Sequence, residues 1–422
     1  MNMGRRLFQM FMRASEAHAK WEYETSLNIL NDKKKVWILA AMTVPIILVS
    51  LAFATELPNI LGGEKAYTPS YYSLEIFIVS IFVGLCAGLI TGCIGAGGGF
   101  IITPALMTVG VKGILAVGTD LFHIFAKAIM GTVVHKKLGN ISVGLAVWFL
   151  VGSGLGVTGG GVINRTLYEI NPVLSDTFIS IIYVVLLGFL GFYSLFDFLK
   201  LRKQDGGGGA PHSESSGGSG IGLPAKMQAI KLPPMIVFDQ DLTPGGKSIS
   251  GIFVALSGGL VGFLASIMGV GGGFITFPMF VYVLGVSSFT TVGTDILQII
   301  FTAGYAAIAQ YAIYGFIFYT LAMGMLIGSL IGIQVGALTT KVVKGIYIRG
   351  FYATAILAGF VNRLFTLPKQ LVEMDVLKIS KGATQIFDMI GSITFFIAIG
   401  IFSLWVISKF FGSLNLLRKE DK

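Results

Sequence analysis

The stretch Ile94–Pro104, IGAGGGFIITP, places three consecutive glycines, Gly97, Gly98 and Gly99, inside one of the most apolar parts of the chain. A glycine in a helix interior costs about 1 kcal/mol relative to alanine, so the run marks a break between helices. The motif returns. GAGGGFIITP over Gly95–Pro104 is answered by GVGGGFITFP over Gly269–Pro278, where the run is Gly271, Gly272 and Gly273. VGTD at Val117–Asp120 is answered by VGTD at Val292–Asp295. Gly152-Ser153, Gly156 and Gly160 match Gly328-Ser329, Gly332 and Gly336 at one constant offset, and Arg165 matches Lys341 at that same offset. Chance gives one such match between apolar sequences. The ordered set identifies an internal repeat.

Composition says what solvent the repeat faces. The 422 residues are 54% hydrophobic and 12% charged, with mean hydropathy +0.81. A soluble domain carries about 25% charged residues. Apolar segments fall near 36–55, 72–94, 100–111, 114–135, 141–163 and 175–199, and again near 248–268, 274–286, 289–312, 314–340, 346–366 and 384–410. Most reach the roughly 20 residues that span a bilayer. The two that follow the glycine runs are short, about 20 Å at helical rise. The expected fold is an all-α integral membrane protein. It has two five-segment repeats with glycine-interrupted short helices, over 72–199 and 248–366, and extra spans at 36–55 and 384–410. Residues 1–35 read as an amphipathic, basic interfacial region, and 200–247, with GGGGAPHSESSGGSG, as a flexible linker.

The net charge of +9 is read as topology, not as nucleic-acid binding. With a cytoplasmic N-terminus and every segment crossing, Lys136-Lys137, Lys200-Arg202-Lys203, Lys341-Lys344-Arg349 and Arg418-Lys419 all fall inside, while the loop at 312–314 is uncharged and outside. This is the positive-inside pattern. Five segments per repeat then insert the two repeats in opposite orientation, an arrangement found in secondary transporters that bind substrate near the midplane. Both termini and the linker are expected in the cytoplasm. Cys86 and Cys93, about 10 Å apart along one helix, read as packing residues.

Two constellations carry the chemistry. Glycine breaks expose backbone N–H groups and admit a close neighbour. Thr103-Pro104 reads as N-cap and first residue of a helix, with Pro278 repeating the latter. Two helix starts from opposed repeats would bind an anion through free N–H groups. Close helix packing is the competing use of the same glycines. No P-loop Lys-Ser/Thr follows, and the spacing is not that of a dinucleotide site. The second constellation lies on the next segment. Asp120, His123 and Lys127 are spaced i, i+3, i+7 on one helix face, and their repeat equivalents are Asp295, Gln298 and Thr302. Lys127 reads as a counter-ion for an anionic substrate. Asp120 and Asp295 either carry a coupling proton or cation, or pair with Lys127 and cap backbone. His123 reads first as a buried structural histidine, with a proton shuttle as the alternative. Asn164-Arg165, Asn362-Arg363 and Asp388 read as solvated anchors at span ends, with gating as the alternative.

At the paired Gly-x-Gly-Gly-Gly…Pro motifs, each followed by Gly-Thr, the sequence resembles the TauE/SafE family, also called the toluene-sulfonate uptake permeases. The resemblance covers about 72–366. It implies secondary transport of a small, often sulfur-containing anion such as sulfite, a sulfonate like sulfoacetate, or thiosulfate. Asp120 and Asp295 depart from it, standing where a small polar residue is expected after Gly-Thr. The reading is an inner-membrane permease, not an enzyme, without cofactor or metal, driven by a proton or sodium gradient; a homo-oligomer is left open. The expected substrate contacts are Gly97, Gly98, Gly99, Gly271, Gly272, Gly273, Thr103, Thr276, Thr119, Thr294 and Lys127. The expected coupling residues are Asp120, His123, Asp295 and Gln298. A gated anion channel and a small-carboxylate transporter are the alternatives.

Overall fold

A computed structural model describes residues 32–34, 37, 74–94, 98–134, 142–204, 223–239, 246–271, 275–276, 279–340, 342–343 and 345–413. Outside the described residues lie nearly all of the 1–35 region and the 36–55 span, as do Gly97, Gly272, Gly273, Pro278, Lys136, Lys137, Lys341, Lys344, Arg418 and Lys419.

The first half contains α1 (Leu74–Ile94), α2 (Gly99–Thr108), α3 (Gly113–Val134), α4 (Val143–Ile170) and α5 (Pro172–Gln204). After a short helix α6 (Leu223–Ala229) and strands β1 (Met235–Phe238) and β2 (Lys247–Ser250), the second half begins with α7 (Gly251–Met268). It continues through a π-helical turn, Met279–Leu284, to α8 (Ser288–Tyr305), which runs on as a π-helical segment, Ala306–Ala312. Then come α9 (Tyr319–Thr339), α10 (Gly345–Glu373) and α11 (Lys381–Gly412). The glycines end helices as expected: α7 stops at Gly269, which is left-handed at φ 76 and returns its N–H to Ala265 O, as a C-terminal glycine does. One reading is corrected. Thr103-Pro104 does not open α2, because the helix already starts at Gly99. The Gly98 carbonyl accepts from Ile101 and Ile102 N–H, and Pro104 lies within the helix.

Small residues decide which helices meet. A Cβ added at Gly84 or Gly88 on α1 would overlap the backbone of Met325 or Ser329, and one at Gly92 that of Ile333, all on α9. On α4, Gly152 meets Ala255, Gly156 meets Gly259 and Gly160 meets Phe263, all on α7. In both pairs the register rises together, so the helices run parallel. The first helix of each half thus packs on the fourth of the other, through the repeated small-residue stripes of a membrane interface. The fifth helices pair with opposite sense: Gly188 faces Phe360, Gly191 faces Leu357, and Gly350 faces Phe198. So do the third helices, with Gly118 against Tyr311 and Gly304 against Phe125.

Seven described helices are long and apolar enough to cross a membrane: α1, α4, α5, α7, α9, α10 and α11. Their outward faces are apolar, as at Val147, Val151 and Leu155 on α4 and Ile393, Ile397 and Ile401 on α11. The chain is a multi-pass, all-α membrane protein. α3 and α8, which carry the ionisable face residues, are not among the seven. They lie inside, with Asp120, His123, Asp295 and Gln298 all buried.

The reading of 200–247 as flexible throughout is corrected. α5 continues to Gln204, and β1 and β2 form an antiparallel hairpin pairing Met235 with Ser250 and Phe238 with Lys247. Ile236, Phe238 and Ile249 bury themselves with Leu145, Phe149, Phe280 and Leu284. The alternation in MIVF was hidden by the polar, glycine-rich residues around it.

Candidate functional site

The two broken ends meet. A Cβ at Gly99 would stand 3.0 Å from Val270 Cα and 3.3 Å from both Gly269 O and Asp120 Oδ2. One at Gly269 would stand 2.7 Å from Thr103 Oγ1. Only residues without side chains let these two chain segments touch, so the centre is built from backbone. The last carbonyls of α7 are not left orphaned. Tyr183 on α5 donates to Met268 O at 2.5 Å, and Tyr311 donates to Ser266 O. The sequence reading missed both tyrosines, since a single Tyr in an apolar run carries no local signal.

Around this centre each half contributes a chain of polar side chains. From the first half, Thr103 Oγ1 donates to Asp120 Oδ2 at 3.2 Å. Asp120 Oδ1 faces His123 Nδ1 at 3.5 Å, and His123 Nε2 lies 2.9 Å from Ser329 Oγ on α9. Asp120 Oδ1 and His123 Nδ1 are both buried without a hydrogen bond. Lys127, one turn beyond His123, is half-buried. From the second half, Gln298 Nε2 donates to Asp295 Oδ1 at 2.8 Å and to Thr276 Oγ1 at 3.0 Å. Thr302 Oγ1 donates to Gln298 Oε1 at 3.0 Å and lies 2.9 Å from Ser153 Oγ on α4. The repeated Gly-Ser pairs place Ser329 and Ser153 in equivalent positions, one per chain. The halves differ at two positions: where the first holds an imidazole and a lysine, His123 and Lys127, the second holds a neutral amide and a hydroxyl, Gln298 and Thr302.

Of the expected contacts, Gly98, Gly99, Thr103, Gly271 and Thr276 lie at or beside this centre. Gly98 packs on Ala87 and Thr91, and Gly271 on Ile124. Thr119 and Thr294 do another job. Thr119 Oγ1 accepts the N–H of Phe318, the residue that caps α9, at 2.9 Å. Thr294 Oγ1 accepts the N–H of Ser142, which caps α4, at 3.2 Å. Each Gly-Thr motif therefore ties a third helix to the start of the other half's fourth helix. The helix starts of α3 and α8 are held by aspartates the sequence reading did not single out. Asp176 Oδ1 accepts Gly113 N–H at 2.7 Å. Asp239 accepts Ser287 N–H at 2.9 Å, Ser287 Oγ at 2.6 Å and Thr290 Oγ1 at 2.5 Å. Cys93 Sγ sits 3.3 Å from Gly336 O in the α1–α9 seam.

The reading of the Asn-Arg pairs as solvated anchors is corrected. Asn164, Arg165, Asn362 and Arg363 are all buried. Arg165 Nη1 donates to Gln310 O and Oε1 at 2.7 and 2.8 Å and the guanidinium stacks 4.0 Å from the Tyr314 ring centre. The π-helical segment at Ala306–Ala312 turns Gln310 toward it. Asp388 alone fits the anchor reading, pairing with Lys369 at 2.8 Å in a half-exposed position.

A sequence profile of the sulfite exporter TauE/SafE family matches residues 80–362. The chain belongs to the TauE/SafE family. Among its relatives, the probable membrane transporter protein YjnA of Bacillus subtilis (strain 168) is 23% identical over 270 residues, covering 63% of this chain and 89% of that protein. A probable membrane transporter protein of Xylella fastidiosa (strain 9a5c) is 24% identical over 268 residues, covering 63% and 85%. No solved structure matches the chain at significant similarity. The matched span ends at Asn362, so it takes in both glycine breaks, both polar chains and the helix pairs described above. As a TauE/SafE membrane transporter, the protein has a small-molecule substrate and works in the lipid bilayer.

Proposed function

We propose that this TauE/SafE protein is a secondary transporter of a small oxyanion, sulfur-containing as the family name indicates, working by alternating access between two inverted repeats. The observation that carries this reading is the meeting of the two glycine breaks beside two reciprocal polar chains, Thr103–Asp120–His123–Ser329 and Thr276–Gln298–Thr302–Ser153. The inverted arrangement is supported by helix sense. Equivalent helices α5 and α10, and likewise α3 and α8, run antiparallel, as an axis in the membrane plane requires. With the basic loops inside, both termini and the 200–247 segment face the cytoplasm of an inner membrane.

The roles follow from charge. Backbone N–H groups of the glycine breaks, Thr103, Thr276 and Lys127 hold the anion. Gly97, Gly272 and Gly273 belong to the same breaks by sequence. Asp120 with His123 takes up the coupling proton, since the pair has two unsatisfied buried atoms facing each other. The second half's Asp295–Gln298 is its counterpart, the carboxylate accepting from the amide. Purified protein in proteoliposomes tests this: saturable sulfite uptake that follows an imposed pH gradient is expected. Ohmic, non-saturating sulfite current with no response to pH would defeat it.

A further inference from the structure

The cluster at the other end of α2 from the glycine break is built from donors. α2 rises about 14 Å from Gly99 to Thr108, and its last turn meets Asn362 and Arg363 on α10. Arg363 is 1% exposed and Asn362 is 0% exposed. Arg363 Nε and Nη2 donate to Asn362 Oδ1 at 2.7 and 2.5 Å. Nη2 also donates to Thr108 Oγ1 at 2.7 Å and Pro104 O at 3.3 Å. Thr108 Oγ1 lies 3.1 Å from the same Asn362 Oδ1. Two things are left over. Asn362 Nδ2 is buried with no hydrogen-bond partner, and among the described residues no carboxylate lies within ion-pair distance of Arg363.

Two carboxylates, Asp388 and Asp176, act on Arg363 from beyond ion-pair distance. Lys112, four residues past Thr108, donates to Tyr168 Oη at 2.9 Å and lies over its ring. Tyr168 is three residues beyond Arg165, which is spent on a neutral glutamine. Asp176 already accepts the Gly113 N–H. Asp388 accepts from Thr366 and Lys369. A guanidinium in a membrane interior normally faces a partner or a functional cavity, and its fork matches a planar or tetrahedral oxyanion. Water could satisfy Asn362 Nδ2. It would leave the guanidinium without a direct anionic contact. A ligand for an arginine and an amide N–H₂ must bring acceptors, and an oxyanion does so.

We propose that Asn362 and Arg363 form a second oxyanion site, separate from the glycine-bounded centre, that holds the anion as it enters or leaves along α2. The proposal rests on the transport reading only for the chemical class of the ligand. Arg363 also clamps α10 to the last turn of α2, so occupation of the site competes with that clamp and loosens the broken helix at the end opposite its glycines.

The test is equilibrium binding of radiolabelled sulfite to the full-length protein in nanodiscs, together with its thermal unfolding. Asn362→Asp supplies a tethered carboxylate beside Arg363. It is expected to weaken one class of sulfite site about ten-fold or more and to raise the unfolding midpoint in sulfite-free buffer. Arg363→Gln keeps a donor for Thr108 and Pro104 and is expected to lose the same site, while Arg363→Lys keeps it with lower affinity. If Asn362→Asp and Arg363→Gln bind sulfite as the parent does, Arg363 is a clamp only and the proposal fails; it fails equally if the parent binds no sulfite. A parent that binds a single sulfite, lost in Arg363→Gln and unaffected by Lys127→Met, would keep this site and remove the central one.

Discussion

Two glycine-to-alanine substitutions separate the packing seam from the proposed transport centre. In Gly99→Ala the new Cβ meets Val270 Cα at 3.0 Å and Asp120 Oδ2 and Gly269 O at 3.3 Å. Gly99 does not have a positive φ, so the backbone accepts alanine without strain, and helix propensity favours alanine by up to about 1 kcal/mol. The overlap is shallow, a few tenths of an ångström. Overpacking of about 1–3 kcal/mol set against a propensity gain of about 1 kcal/mol leaves a net loss of about 0–2 kcal/mol. The displaced atoms, however, are the opposite glycine break and the carboxylate that Thr103 holds. In Gly84→Ala the Cβ would fall inside the backbone of Met325, with its Cα, C and O all closer than contact distance. No side chain can rotate away, so α1 and α9 must part along a seam that also includes Gly88 and Gly92. The cost lies at or above the upper end of the overpacking range, about 3 kcal/mol. Unfolding midpoints of both purified variants, and sulfite flux into proteoliposomes, decide the matter. Gly99→Ala should remain folded and lose most of its flux, while Gly84→Ala should lose folded protein first. Equal stability of the two variants, or wild-type flux in Gly99→Ala, would refute the reasoning.

Further expectations concern the polar chains and the topology. Ser329→Ala strands His123 Nε2 in the interior and should destabilise by about 1–3 kcal/mol, whereas Ser153→Ala leaves Thr302 bonded to Gln298 and should cost about 0.5–1.5 kcal/mol; chemical denaturation in detergent compares them. Asp239→Asn removes a carboxylate that takes three donors at the start of α8, so faster amide hydrogen exchange is expected over Ser288–Tyr305, with about 1.5–3 kcal/mol lost. Lys127→Met should weaken sulfite binding roughly ten- to a hundred-fold, and unchanged affinity in the folded variant would end its role as counter-ion. Single cysteines at Ser215 and Ile313, in a background lacking Cys86 and Cys93, should react with impermeant reagents from opposite sides; labelling from the same side would exclude the inverted arrangement.

The membrane class and the rough extent of most apolar helices were legible in the sequence because they are written in local and periodic signals. Apolar runs of spanning length, glycine clusters and their constant offsets survive without any knowledge of contacts. The expected segment at 289–312 and the observed Ser288–Ala312 agree to one residue at the start for that reason. The i, i+3, i+7 face of Asp120, His123 and Lys127 was equally visible, since helix geometry alone puts those side chains together.

Partners across the fold were not legible. Thr119 and Thr294 look like binding residues in a motif repeated within the chain, yet each accepts a backbone N–H of the other half, a contact about two hundred residues away for Thr119 and about one hundred and fifty for Thr294. Asn362-Arg363 looks like an anchor at a span end because polarity near a segment boundary usually means solvent. Only the docking of α10 on the last turn of α2 buries it. Thr103 has the signature of an N-cap, and the Gly98 carbonyl pre-empts that role by starting the helix earlier. Sequence determines where this chain can break and which residues it must keep out of lipid. Which buried donor finds which acceptor depends on helices meeting through glycines, and that is settled only when two distant backbones come close enough to touch.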